Sequence, residues 1–103
     1  MATPEGKFKA KLIEKLEERY PDFIITKLEA DLKNGIPDIV ILGDKKRWAT
    51  LEAKKNKEEV IKPRRNKKAQ DYYVSKMGKM GYSSYVYPEN EEEVLSELEN
   101  YFK

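Results

Sequence analysis

The stretch GIPDIVILGDKKRWATLEAKK, residues 35–55, decides the fold of this chain. The Ile-Val-Ile-Leu run after Asp38 has the apolar, β-branched composition of a buried strand. Residues 43–46 suit a turn, and Trp48 to Lys54 has the composition of a second strand. We therefore predict an antiparallel hairpin, with a carboxylate where its first strand begins and a carboxylate and an amine where its second strand ends.

The number of residues in the turn decides whether these charged side chains meet. Directly paired residues of neighbouring strands point to the same face of a sheet. An odd turn, such as 43–47, pairs Leu42 with Trp48 and places Asp38 opposite Glu52, with their Cβ atoms about 5 Å apart. An even turn puts the two carboxylates on opposite faces, unless a bulge corrects the register.

Paired carboxylates at this distance favour a cation between them, because their charges repel each other. Mg²⁺ binds oxygen ligands, commonly one or two carboxylates completed by water and phosphate. Lys54 shares a face with Glu52, where an amine can hold or deprotonate a water, or stabilise charge on a phosphate oxygen. The alternative is a hairpin with solvent-exposed polar ends, in which a Glu52–Lys54 pair contributes under ~1 kcal/mol.

The rest of the chain predicts helices and strands around this hairpin. The predicted elements are a helix from Pro4 to about Arg19, a strand at 23–27, a polar loop ending at Gly35, strands at 38–42 and 48–54, a basic loop at 56–65, a helix ended by Gly81, a strand at 82–87, and a last helix with a capping box of Asn90 and Glu93. The order α-β-β-β-α-β-α predicts one mixed α/β domain over residues 1–103, with a four-stranded mixed sheet flanked by helices.

Cysteine and histidine are both missing from this chain of 103 residues. Their absence excludes disulfides, Cys/His zinc sites and Ser-His or Cys-His catalytic groups. Catalysis therefore has to use carboxylates, lysine, tyrosine or a metal held by oxygen atoms. The sequence also lacks a long apolar run and a signal-peptide pattern, so we expect a cytoplasmic protein that does not associate with membranes.

Charge is distributed unevenly along the chain. Residues 54–68, the basic segment, contain eight lysines and arginines and two glutamates, whereas residues 89–103 contain six glutamates and one lysine. Such separation is typical of a surface that attracts a polyanion at one place and repels it at another. Two solvated charged faces with no partner are the alternative interpretation.

Two helical positions add polar groups to the candidate site. Glu5 falls in the middle of the apolar stripe of the first helix, so it is predicted to join Asp38 and Glu52, although a carboxylate in a first turn also favours the helix dipole. Gln70 lies beside the apolar stripe of the next long helix and is predicted to look toward the sheet. The alternative interpretation is that Gln70 is an ordinary glutamine at the boundary between core and surface.

The motif Gly35-Ile36-Pro37-Asp38 with Glu52-Ala53-Lys54, after a helix that carries a glutamate, resembles the PD-(D/E)xK nuclease superfamily. The chain is similar to the small stand-alone VRR-NUC-type endonucleases of phages over nearly its whole length. The likeness includes WATLEAKK, residues 48–55, and AQDYYVSKMGKMGYSSYVYPENEEEVLSEL, residues 69–98. It implies a restriction-endonuclease-like core.

The resemblance also implies a role for each site residue. Asp38 and Glu52 are expected to bind Mg²⁺, for which Mn²⁺ can substitute, with the Ala53 carbonyl as a further ligand. Glu5 is expected to act through metal-bound water, and Lys54 to orient or activate the attacking water. Gln70 matches a glutamine that these nucleases often carry, but the residues before it are more basic than the family pattern.

The implied reaction is hydrolysis of a DNA phosphodiester bond by in-line attack of water, leaving a 5′-phosphate and a 3′-hydroxyl. Related stand-alone domains act as homodimers on branched DNA, so Holliday junctions or flaps are the expected substrates, in the bacterial host cell if a phage encodes the protein. The residues expected to grip the phosphate backbone are Lys55, Lys57, Lys62, Arg64, Arg65, Lys67 and Lys68. The alternatives are a non-catalytic DNA-binding module of the same fold, or a small protein-interaction domain that uses its acidic last helix.

Overall fold

The computed structural model describes residues 3–28 and 33–103 of the chain. Its elements are α1 Pro4–Arg19, β1 Ile24–Lys27, β2 Ile39–Leu42, β3 Trp48–Ala53, α2 Glu58–Ile61, α3 Lys67–Met80, β4 Tyr82–Val86, a 3₁₀ turn Pro88–Asn90, and α4 Glu91–Tyr101. The predicted loop that ends at Gly35 lies partly outside the described residues. Within the described ranges, the helices are all too short or too polar to cross a membrane.

The four strands form one mixed sheet in the order β1-β2-β3-β4. The first three strands pair antiparallel, and β4 runs parallel to β3. A parallel neighbour needs a crossover connection, and α3 supplies it between β3 and β4. The predicted α/β class, the mixed sheet and the order of the long elements are therefore confirmed.

One face of the sheet forms the hydrophobic core with α1 and α4. The fully buried side chains from β2 and β3 include Ile39, Ile41 and Leu51. They belong to one cluster with residues of both helices, such as Leu12 of α1 and Leu98 of α4. Each such aliphatic side chain contributes roughly 1.5–3 kcal/mol on burial. Alternation along the strands leaves the other face to different residues.

That other face lies beneath α3 and carries polar groups. Thr50 of β3 donates from its hydroxyl to Ser83 of β4 at 2.9 Å and lies 3.9 Å from the sulfur of Met77 in α3. Tyr85 of β4 donates from its hydroxyl to Asp71 of α3 at 2.5 Å. The sheet therefore has an apolar side that stabilises the fold and a mixed side that holds ionisable groups.

Two local predictions were wrong, and in both places an asparagine side chain accepts a hydrogen bond from a backbone amide. The predicted loop at 56–65 contains the one-turn helix α2, because the side chain of Asn56 accepts from the Glu59 amide at 3.0 Å and starts the turn. Asn90 does not cap α4 with its side chain. It accepts instead from the Tyr87 amide at 2.8 Å, since Pro88 begins a 3₁₀ turn there.

Gly35 fixes the approach of α3 to the hairpin. Its φ angle is +91°, in the left-handed region that favours glycine. A Cβ atom at this position would lie 2.5 Å from the Cβ of Ala69 and 2.9 Å from the backbone nitrogen of Gln70. The glycine of the Gly-Ile-Pro-Asp motif is therefore needed so that the start of α3 can pack against the entry to β2.

We expect Gly35→Ala to lower the free energy of unfolding by about 3 kcal/mol, from the strained φ angle and the overpacking together. Urea denaturation followed by circular dichroism measures this change. Gly78→Ala is the matched control, because a Cβ there meets only the Ser83 carbonyl oxygen, at 3.7 Å. In the interior of α3 that substitution should stabilise by roughly 0.5–1 kcal/mol. Equal stability of Gly35→Ala and wild type would contradict the packing argument.

Candidate functional site

The register of β2 against β3 brings the two predicted carboxylates together. Leu42 pairs with Trp48 and Ile39 pairs with Leu51, so continuation of the ladder sets Asp38 opposite Glu52. The connection is the odd turn 43–47, closed by a hydrogen bond of 2.9 Å from the Gly43 amide to the Arg47 carbonyl. Of the two turn lengths that the sequence left open, the structure has the odd one, and alternation along the strands places both carboxylates on the face that α3 covers.

Non-glycine residues in the left-handed region make this odd turn possible. Lys45 and Lys46 have φ angles of 56° and 63°, a conformation that costs a non-glycine residue roughly 1–2 kcal/mol. Burial of the strand residues on the apolar face offsets that cost, because a one-residue slip would expose the entire apolar set. Core packing therefore determines where the charged residues of the hairpin lie.

Asp38 is the most accessible of the three predicted hairpin groups. Its side chain is 20% exposed, compared with 7% for Glu52 and 11% for Lys54. The carboxylate accepts from the Ala53 amide at 3.3 Å and forms an ion pair with the ammonium of Lys9. Asp38 is thus held between the end of β3 and helix α1.

Glu52 is a buried carboxylate that lies between a negatively charged neighbour, Asp38, and a positively charged one, Lys54. Burial raises the pKa of Glu52 from 4.5 to about 7, the negative charge of Asp38 adds to this rise, and the nearby amine of Lys54 opposes it. The Lys54 nitrogen lies 3.5 Å from a carboxylate oxygen of Glu52. Because the carboxylate is costly to ionise in this place, a cation that enters the site would gain by neutralising it.

The backbone of Ala53 contributes to the same place. The amide of a strand residue and its carbonyl point to the same side of the strand. The Ala53 amide points to Asp38, and the Lys54 amide bonds in the opposite direction, to the Val86 carbonyl at 2.9 Å. The Ala53 carbonyl therefore faces the Asp38 side of β3, as required of the ligand that the resemblance implies.

Helix α1 brings two more charged residues to this end of the hairpin. Thr3 caps the helix by accepting from the Gly6 amide at 3.0 Å, which sets Glu5 in the first turn. Lys9 follows one turn later on the same side. Burial lowers the pKa of Lys9, but the attraction of Asp38, Glu5 and Glu52 outweighs burial and leaves that pKa above its usual value.

Glu5 is therefore close enough for its charge to act on both Lys9 and Glu52. Even so, within residues 3–28 and 33–103 no group of three or more histidine, cysteine, aspartate or glutamate side chains is placed to hold one metal ion. A direct three-carboxylate site is not formed by these residues. Asp38, Glu52 and the Ala53 carbonyl stay the expected direct ligands, and Glu5 stays expected to act through water.

Gln70 is held in a hydrogen-bond network with Arg64 and Tyr85. Its side-chain oxygen accepts from two nitrogens of Arg64, at 3.0 and 2.7 Å. Arg64 also donates to the Val60 carbonyl at 2.7 Å and to the Tyr85 hydroxyl at 3.1 Å. Tyr85 lies beside Glu52 in the β3–β4 register. The network therefore connects the basic segment to β4, at the residue that pairs with Glu52 of β3.

The predicted phosphate-binding residues divide into two groups. Arg64 is half-buried and its guanidinium bonds to groups of the protein, and Lys67 pairs with Asp71 at 2.7 Å. The exposed members are Lys55, Lys57, Lys62, Arg65 and Lys68. Of these, Lys55 and Lys62 pair with Glu59 at 3.4 and 3.0 Å. Such surface pairs are worth under ~1 kcal/mol, so these lysines can readily exchange Glu59 for a phosphate.

Three contributors to the site were not found from the sequence: Lys9, Tyr85 and Asp71. Lys9 had a detectable signal, since it lies one turn after Glu5 on the same side of α1. Tyr85 and Asp71 meet only because α3 packs over β4. Their mutual hydrogen bond depends on tertiary structure that a local pattern does not contain.

Comparison with known proteins supplies no further assignment. No protein-family model matches the chain, and searches of curated proteins and of solved structures also gave no match. A functional assignment for this chain therefore depends on the geometry and chemistry of the site.

Glu52 gives a testable pH dependence. Its folded-state pKa lies above the unfolded value, so its stabilising contribution is complete below about pH 4.5 and is lost as pH rises through about 7. In EDTA, between pH 5 and pH 8, we expect wild type to lose about 2.5 kcal/mol of unfolding free energy relative to Glu52→Gln. Urea unfolding at each pH measures the difference. The control is Glu58→Gln, at an exposed carboxylate of α2, whose unfolding free energy should change with pH as that of wild type does. If the unfolding free energy of Glu52→Gln also changed with pH as that of wild type does, the raised pKa of Glu52 would be contradicted.

Proposed function

We propose that this protein is a metal-dependent DNA endonuclease that hydrolyses phosphodiester bonds, with branched DNA such as Holliday junctions or flaps as its substrate. The observation that carries the proposal is the register of the hairpin. It sets Asp38 opposite Glu52, beside the Ala53 amide, with Lys54 on the same face. Two carboxylates and an amine in one place support hydrolysis as the function. Burial of these charged groups is costly, and a hairpin with a purely structural role would gain nothing from it.

The donor set fits a hard divalent cation. Asp38 and Glu52 offer carboxylate oxygens and Ala53 offers a carbonyl oxygen, which are the ligand types of Mg²⁺ and also suit Mn²⁺. When bound, such an ion polarises a phosphate oxygen and lowers the pKa of a water molecule. The raised pKa of Glu52 supports the assignment, since a cation relieves the repulsion between the two carboxylates.

The residues around the donors support the remaining tasks of the reaction. Lys54 lies 3.5 Å from Glu52 and is almost fully buried, so its ammonium has a fixed position from which to orient a water or stabilise charge on a phosphate. Gln70, fixed by Arg64, borders the same face of the sheet. The exposed lysines and arginine of the basic segment supply contacts to the DNA backbone that carry no base specificity.

Homodimer formation is part of the proposal. Strand β1 is at the edge of the sheet, and its Ile24 pairs with Leu42 of β2. These two side chains are 63% and 45% exposed. An edge strand with apolar side chains favours association, and two copies would present two sites to the arms of a junction. We propose a cytoplasmic location, where a bacterial cell keeps its DNA.

The primary test is a cleavage assay on labelled four-way junction, flap, duplex and single-stranded DNA, with Mg²⁺, Mn²⁺ or EDTA. We expect metal-dependent cutting that is fastest on branched DNA. Asp38→Ala and Glu52→Gln should each reduce the rate at least about 100-fold, because each removes a ligand oxygen. Asp44→Ala, in the exposed hairpin turn, is the control and should cut like wild type.

The outcomes of this assay separate the alternatives. Tight binding of DNA without cutting on any substrate would favour the non-catalytic DNA-binding module. Neither binding nor cutting, even at low salt, would overturn the proposal and favour a protein partner.

Salt dependence tests the DNA contacts separately. Replacing Lys57, Arg65 and Lys68 together by glutamine should lower the slope of log K against log salt by about 2–3, because each phosphate contact releases counterions. The control replaces Lys45, Lys46 and Lys103, exposed cations that lie away from the basic segment. Fluorescence anisotropy with labelled junction DNA, with EDTA present to prevent cutting, measures both. Equal slopes for the two triple variants would contradict the proposed contact surface.

A further inference from the structure

Lys9 is a charged residue inside the site to which the proposed reaction assigns no task. Its ammonium forms an ion pair with Asp38, and the two side chains are only 19% and 20% exposed. It reaches the hairpin from α1, whereas Lys54 reaches the same place from β3. Each of the two central carboxylates therefore has its own lysine: Lys9 contacts Asp38 and Lys54 contacts Glu52.

We propose that Lys9 is a built-in counter-ion, whose ammonium neutralises Asp38 in the metal-free protein and which a divalent cation has to displace in order to bind there. This inference rests on the proposed function, because it takes Asp38 as a metal ligand. It assigns Lys9 a positioning and regulatory role, since competition between the ammonium and the metal sets the metal affinity.

Burial and connectivity indicate which of the two lysines moves. Lys54 follows β3 directly and its amide bonds to Val86, so both its backbone and its side chain are fixed within the sheet. Lys9 comes from a different element and contacts the more exposed carboxylate. A lysine side chain has a flexible four-carbon stem that can withdraw its ammonium to solvent. Exchange between ammonium and metal is therefore expected at Asp38.

Charge gives this exchange its selectivity. An ammonium and a monovalent cation bring the same charge to Asp38, so sodium or potassium gains little by replacing Lys9. A divalent cation interacts with both Asp38 and Glu52 and brings twice the charge. Lys9 thus prevents monovalent ions from binding at the two carboxylates. It also holds Asp38 in place until a divalent ion binds.

The test measures Mn²⁺ binding directly, from the electron paramagnetic resonance signal of free Mn²⁺, without DNA. Lys9→Met keeps the length of the side chain and removes its charge, so we expect about tenfold tighter Mn²⁺ binding than in wild type. Lys9→Arg keeps the charge and should stay closer to wild type than to Lys9→Met. Lys11→Met removes the same charge from an exposed position of α1 and should leave the affinity unchanged.

Thermal unfolding gives a second readout that also shows whether each variant folds. In EDTA, Lys9→Met leaves Asp38 and Glu52 without one of their cations, so its Tm should fall by about 5 °C. Saturating Mn²⁺ should raise the Tm of Lys9→Met more than that of wild type, because no ammonium has to be displaced. Lys11→Met again provides the reference.

The outcomes distinguish this inference from the proposed function. Mn²⁺ binding by Lys9→Met that is no tighter than by wild type, in a protein that cuts DNA, would overturn the role of Lys9 alone. Tighter binding by Lys9→Met together with absence of cleavage by wild type would support the role of Lys9 and overturn the nuclease. Absence of Mn²⁺ binding in both proteins at millimolar concentration would overturn both.

Discussion

The pairing of β2 with β3 is the constraint on which the rest of the structure depends. The same register that buries Ile39, Ile41 and Leu51 on one face of the sheet sets Asp38 opposite Glu52 on the other. A slip of one residue would expose the apolar set and separate the carboxylates, so the core and the site cannot be varied independently. Hydrophobic burial, the largest favourable contribution to folding, thereby holds together groups that repel each other.

The helices complete this arrangement through close contacts with the hairpin. Gly35 lets the start of α3 approach the entry to β2, which sets Gln70 beside the polar face. The Thr3 cap fixes where α1 begins, and this places Glu5 and Lys9 at the end of the hairpin that carries Asp38. Burial of ionisable groups between these elements is costly unless each has a partner. Among the described residues, every fully buried side-chain nitrogen and oxygen has a hydrogen-bond partner.

The basic segment combines a structural and a proposed functional role. Arg64 turns inward and ties the segment to α3 and β4, whereas neighbours such as Arg65 and Lys68 stay exposed. A charge count along the sequence treats these residues alike, because it contains no information on which cation finds a partner within the fold. The two lysines of the site also differ in burial, since Lys54 is almost fully buried and Lys9 lies nearer the surface.

The sequence alone determined the order of the long elements and the hairpin, because these depend on alternation and periodicity among near neighbours. It left open whether the hairpin turn is odd or even, and the structure decided that the turn is odd. The sequence also predicted Glu5 within the apolar stripe of its helix, and the structure leaves Glu5 half-buried. Only the tertiary structure decided that Lys9 meets Asp38, that Arg64 holds Gln70, and that Asn90 turns back to Tyr87. These are contacts of charged and polar groups with several available partners, and the choice among them depends on how the helices pack on the sheet.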